Sequence, residues 1–128
     1  MSDISAVTAS GSCLCGSIRY QVTGPVQNVT ACHCSQCRKQ SGHFWASSGA
    51  ADEDFELLSE EGLKWYRASD SAIRGFCGVC GSVLFWKKND EDRMSFSAGS
   101  LDTHPGVTLA KNIFTDDKGD YYEIAPKE

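Results

Sequence analysis

Ile73-Arg74-Gly75-Phe76-Cys77-Gly78-Val79-Cys80-Gly81-Ser82-Val83-Leu84-Phe85-Trp86 reads as two strands joined by a Cys-x-x-Cys-Gly turn. Such a turn is a zinc knuckle. It aims two thiolates and nearby backbone N–H groups at one point, and glycine supplies the backbone angle that the turn needs. The competing reading of Cys-x-x-Cys is a redox dithiol. That reading wants a βαβ context, which the flanking sequence lacks.

Outward from this turn the hydrophobic period is two. Ile18, Tyr20 and Val22 alternate with Ser17, Arg19 and Gln21, and Met94 and Phe96 alternate with Ser95 and Ser97. Phe55 and Leu57 alternate, and Lys64 and Tyr66 lie against Leu63 and Trp65. Val83 and Phe85 alternate with Leu84 and Trp86, apolar on both faces. Strands are expected at 17–23, 28–32, 44–49, 55–59, 63–67, 72–76, 83–88, 93–98, 110–114 and 121–125. Acidic, turn-like clusters at Asp52–Asp54 and Asn89–Asp92 punctuate them, and Asp116–Asp120, with Lys118-Gly119 inside, reads as a hairpin turn. Short strands at this spacing give an all-β, mainly antiparallel fold. Ser35 to Ser41 alone reads as a single helical turn, capped by Ser35 and ended by Gly42.

A chain of 128 residues suits one domain, expected at 11–128, after a polar N-terminal arm at 1–10. That arm shows no secretory pattern, and the apolar runs are far shorter than the ~20 residues of a membrane span. A cytoplasmic location, with reduced thiols, is the expectation. A net charge of −5 disfavours a general nucleic-acid binder, which needs a basic face.

Seven cysteines is an odd count, unlike a secreted disulfide framework, and at this density in a reducing compartment cysteine points to metal. They fall as Cys13 and Cys15, then Cys32, Cys34 and Cys37, then Cys77 and Cys80. A structural zinc closes its shell with four protein ligands, whereas a catalytic zinc takes three and keeps one position open. Seven divides as four plus three. Cys77 and Cys80 need two partners from a distant segment, either Cys13 with Cys15 or two of the middle cluster, and spacing does not choose between them. The middle cluster holds enough sulfur for a three-ligand site. The alternative there is a second closed zinc, with His33 or His43 as fourth ligand.

Gly11-Ser12-Cys13-Leu14-Cys15-Gly16-Ser17-Ile18-Arg19-Tyr20 resembles the opening of glutathione-dependent formaldehyde-activating enzymes. Cys32-His33-Cys34-Ser35-Gln36-Cys37-Arg38-Lys39 with Ser41-Gly42 is similar to their second motif. Arg74 through Gly81 with Leu84-Phe85 is similar to their third. Gly99-Ser100-Leu101-Asp102 and Lys118-Gly119-Asp120-Tyr121-Tyr122 also recur in the wider family, which includes centromere protein V. The resemblance implies a β-tent fold with zinc knuckles. It implies a structural zinc on Cys13, Cys15, Cys77 and Cys80, and a catalytic zinc on Cys32, Cys34 and Cys37 with its fourth place open to a substrate thiol; two zinc ions per chain are expected, the second absent or exchangeable. It implies a carbon–sulfur lyase that joins a thiol such as glutathione to formaldehyde. Many members carry a histidine where this chain has Asn112.

A thiol substrate with carboxylates needs a local cation on this acidic chain. Arg38 and Lys39, beside Cys37, are the first candidates, solvated side chains being the plain alternative. His33 is a candidate proton carrier or donor to a ligand, or simply a packed histidine. The partners expected are a small thiol and an aldehyde, with no nucleic acid and no membrane; a homodimer stays open. The alternative function is a non-catalytic zinc module that binds another protein.

Overall fold

The computed structural model describes residues 6–124. Three strands, β1 (Ala9–Ser12), β2 (Ile18–Val22) and β5 (Phe55–Glu60), form an antiparallel sheet in the order β1-β2-β5. Seven more are β3 (Val29–Cys32), β4 (Trp45–Ala51), β6 (Leu63–Arg67), β7 (Ala72–Cys77), β8 (Val83–Lys88), β9 (Arg93–Ser97) and β10 (Leu109–Ile113). These form a second sheet in the order β10-β3-β4-β9-β8-β7-β6. The expected β architecture, mostly antiparallel with one short helix, is the one observed. Among the described residues, no helix is long and apolar enough to cross a membrane.

The period-two pattern builds the core between the sheets. Ile18, Tyr20 and Val22 of β2 meet Phe85, Met94 and Phe96 of the larger sheet. Tyr20 packs its ring 5.5 Å from Phe85 and 5.2 Å from Phe96, and pairs its hydroxyl with Ser100 Oγ at 2.6 Å. Leu84 and Phe85 are adjacent yet both fully buried in this cluster. The ladder explains it: Gly75 faces Phe85 but Phe76 faces Val83, so Leu84 is the extra residue of a bulge. Gly75 has no side chain because a Cβ there would lie 2.9 Å from Trp65 and 3.0 Å from Phe85.

Several local expectations are corrected. The first strand begins at Ala9, which is buried, so residues 9 and 10 of the expected arm belong to the sheet. β10 runs parallel to β3. A long connection separates β9 from β10, so no tight hairpin dictates antiparallel pairing there. The expected hairpin at 116–120 is a single 3-10 turn at Thr115–Asp117, and no strand follows through residue 124; residue 125 of the expected last strand lies outside the described residues. Tyr121 and Tyr122 bond instead to His43 and His33.

The helix α1 (Ser35–Ser41) is one turn longer than expected and is capped one residue earlier. Cys34 Sγ accepts from the Cys37 backbone N–H at 3.3 Å. Gly42 ends it as expected, at φ 90°, its N–H donating to the Arg38 carbonyl.

Candidate metal centres

All seven cysteines are unpaired thiols, and they fall into two groups in space. Sulfurs of Cys13, Cys15, Cys77 and Cys80 all lie within 4.8 Å of one another, and so do those of Cys32, Cys34 and Cys37. The alternative left open by spacing, a knuckle completed from the middle cluster, is not the arrangement found.

Two turns build the first group. β1 and β2 are joined through Cys13–Ser17, where Gly16 N–H donates to the Cys13 carbonyl. β7 ends at Cys77 and turns through Cys80, with Gly81 N–H donating back to the Cys77 carbonyl. The Leu14 N–H donates to Ser82 Oγ and ties one turn to the other. Each turn comes from a different sheet, so the cluster joins the two sheets. Cys13 lies 3.7 Å from Cys15, and Cys15 lies 3.8 Å from Cys77. A tetrahedron with Zn–S bonds of about 2.3 Å has edges of about 3.8 Å, so the sulfurs already have the spacing of a zinc shell. Backbone N–H groups of Ile18 to Cys13, and of Val79 and Cys80 to Cys77, supply the donors that thiolates need. The Ser82 hydroxyl brings the Cys80 thiol down to about 5. The residues present fit a closed four-thiolate ion.

The second group forms where β3 runs into α1. Cys32 ends β3, paired with Trp45 of β4 on one side and Ile113 of β10 on the other. Cys34 is the helix cap, and Cys37 lies three residues on, on the same face. Hydrogen bonding to Cys32 and burial push the Cys37 thiol well up, against the pull of Arg74. Cys32 is lowered, first by the bond from Cys37. These three sulfurs open onto a cleft of about 710 Å³ walled by Trp45, Trp86 and Phe114. Three soft donors facing open space fit a zinc that keeps a place for an incoming ligand.

The histidines do not complete this shell. His33 is buried and fully engaged: Tyr122 lies 2.5 Å from Nδ1, and Asn112 Oδ1 lies 2.8 Å from Nε2. Asn112 Oδ1 can only accept, which leaves Nδ1 to share a bond with the Tyr122 hydroxyl. The Nε2–H then donates to Asn112. Asn112 thus helps to fix the His33 ring. His43 Nδ1 pairs with Tyr121.

The two cations next to Cys37 in sequence lie apart from the three-cysteine cleft. Arg38 Nε donates to the Asp117 carbonyl, Lys39 borders a separate shallower cleft, and neither lines the three-cysteine cleft. The cations lining it are Arg74, Lys88 and Lys111, against Glu91 as the one carboxylate.

Two thiol clusters on a β scaffold, one between sheets and one facing a cleft, are each arranged so that they could hold a soft metal ion. The family described as glutathione-dependent formaldehyde-activating enzyme matches residues 8–117, and this chain belongs to that family. The fold is also similar to a crystal structure of a Rhodobacter sphaeroides protein, with a TM-score of 0.63 and 21% identity over 79% of this chain and 99% of that one. No curated protein gives a significant match.

Proposed function

We propose that this chain is a two-zinc carbon–sulfur lyase that adds a thiol to a small aldehyde, or runs the reverse, with Cys13, Cys15, Cys77 and Cys80 holding a structural ion and Cys32, Cys34 and Cys37 the reactive one. The observation that carries the reading is the division of sulfur: four converge between the sheets, and three face a cleft with no histidine to close them. Membership of a family named for formaldehyde activation supports the chemical class. A non-catalytic module would have two closed shells.

A zinc held by three thiolates would have an open position, where it would lower the pKa of an entering thiol and favour its nucleophilic form at neutral pH. The chain's own residues bind and orient. Cys32, Cys34 and Cys37 would hold the ion at the cleft and leave a place there for the thiol. Trp45 and Trp86 make an apolar wall that excludes water beside them. Lys88 and Lys111 lie at the cleft and suit a thiol that carries carboxylates, on a protein whose net charge repels anions elsewhere. In the addition, a C–S bond forms, the carbonyl π bond breaks, and the thiol proton passes to the oxygen. His33 holds the end of β3 against β10 and the Tyr121–Tyr122 segment, and acts by positioning.

The test is exchange spectroscopy by NMR on formaldehyde and glutathione, measuring adduct formation and breakdown with and without the protein. Acceleration above the spontaneous rate that disappears in Cys34→Ser is the expected result. No acceleration by zinc-replete protein, with glutathione or with other small thiols, rejects the lyase reading.

A further inference from the structure

Arg74 is buried, with 4% of its surface exposed, and among the described residues no carboxylate lies within ion-pair distance of it. A buried cation without an anion is costly, and such groups persist only when paired. Each of its three nitrogens donates a hydrogen bond. Nε donates to Gln36 Oε1 at 2.6 Å, Nη1 to Gln40 Oε1 at 3.0 Å, and Nη2 to Cys37 Sγ at 3.3 Å. Its guanidinium carbon lies 5.9 Å from the Trp45 ring centroid. Gln36 and Gln40 stand four apart on α1, on the helix that also carries Cys37. The only anion these contacts offer is the sulfur group itself.

The geometry points to Arg74 as the positioning residue of the three-cysteine site: it supplies the positive charge that balances three thiolates around a divalent ion, and it fixes the Cys37 sulfur through a fork held by Gln36 and Gln40. This rests on the three-cysteine site being a metal site. A divalent ion with three thiolates carries one net negative charge, and one guanidinium cancels it. Lysine keeps the charge but lacks the planar fork that bridges both amides and the sulfur. Arg74 also shares β7 with Cys77, so the strand that enters the four-thiol cluster delivers the counter-charge to the other.

The experiment is cobalt titration of the metal-depleted protein under reducing conditions, following thiolate-to-cobalt absorption, with wild type, Arg74→Met and Arg74→Lys. Wild type should take up two ions in separable steps. Arg74→Met should weaken the three-cysteine step 10–100-fold, the usual scale for groups that orient metal ligands, and shift its charge-transfer band. The four-cysteine step should not change, and Arg74→Lys should recover part of the affinity but not the band position. Equal affinity and spectrum in wild type and Arg74→Met overturn the assignment. A wild-type protein that takes up only one cobalt overturns the three-thiolate site itself, and this outcome is visible without the variants. Should Arg74→Met lose the four-cysteine step through misfolding, the Gln36→Leu/Gln40→Leu double variant keeps the charge and frees the fork. A displaced band then supports the role, and an unaltered one contradicts it.

Discussion

Cys34 has two duties, as cap of α1 and as one of three clustered sulfurs. A serine oxygen is itself a preferred N-cap acceptor, so Cys34→Ser keeps the helix while replacing a soft ligand with a poor one. Stability is expected to stay within about 1 kcal/mol of wild type, in the range of cap substitutions, while the second zinc and the catalysis are lost. Thermal unfolding beside metal analysis checks both halves. Tyr20 gives a pH prediction. Burial, eased only in part by its bond to Ser100, raises its pKa well above the ordinary value of about 10. A group raised on folding contributes stability that is fully present below the unfolded pKa and is lost as pH climbs through the interval toward the folded one. Denaturant unfolding between pH 9 and 11 should therefore fall more steeply for wild type than for Tyr20→Phe, which costs about 1 kcal/mol at neutral pH. The cysteines were legible one by one, because each sits in a Cys-x-Cys or Cys-x-x-Cys pair. The cations were not. Successive residues on a helix fan out by about 100°, so Arg38 and Lys39 leave the face of Cys37 although they follow it in sequence. Lys111 reaches the cleft through a parallel pairing that nothing local in the sequence announces.

At the scale of the element, β7 carries the most information. Its residues alternate duties: Arg74 pairs across from Trp86 and Gly75 from Phe85, which places them on opposite faces, and Cys77 closes the strand into the knuckle turn. Gly75→Val is expected to cost about 1–3 kcal/mol, the range for overpacking, because Trp65 and Phe85 already fill the space; urea unfolding measures it. The strands with clean alternation were legible because one face is buried and the other is not, as in β2 and β9. β1 was not, since four small residues show no hydrophobic period; its place comes from pairing with β2, with Gly11 against the Tyr20 ring. The segment after β10 misled for the opposite reason. Tyr121 and Tyr122 look like strand residues, yet their hydroxyls serve His43 and His33 rather than a ladder.

On the scale of the whole molecule, the two clusters differ in what they connect. The four-cysteine group links the turn between β1 and β2 to the turn after β7, and so fastens the small sheet to the large one. Structural zinc contributes directly to folding, so Cys77→Ser is expected to abolish the cooperative unfolding transition at 37 °C. A stably folded, zinc-replete Cys77→Ser protein would contradict the ligand assignment. The three-cysteine group lies within one local stretch, from the end of β3 into α1, and its loss leaves the sheets joined. The division into four and three was readable from the cysteine count. Which sulfurs meet is a property of the sheets, and spacing alone left it open.

Zinc content per chain under reducing conditions, before and after mild chelation, with circular dichroism recorded on each sample, bears most directly on this division. Two zinc ions, one removed easily with the β spectrum and unfolding transition intact, are expected. Two ions held equally tightly, or a single ion whose removal unfolds the chain, would contradict an open site beside a closed one.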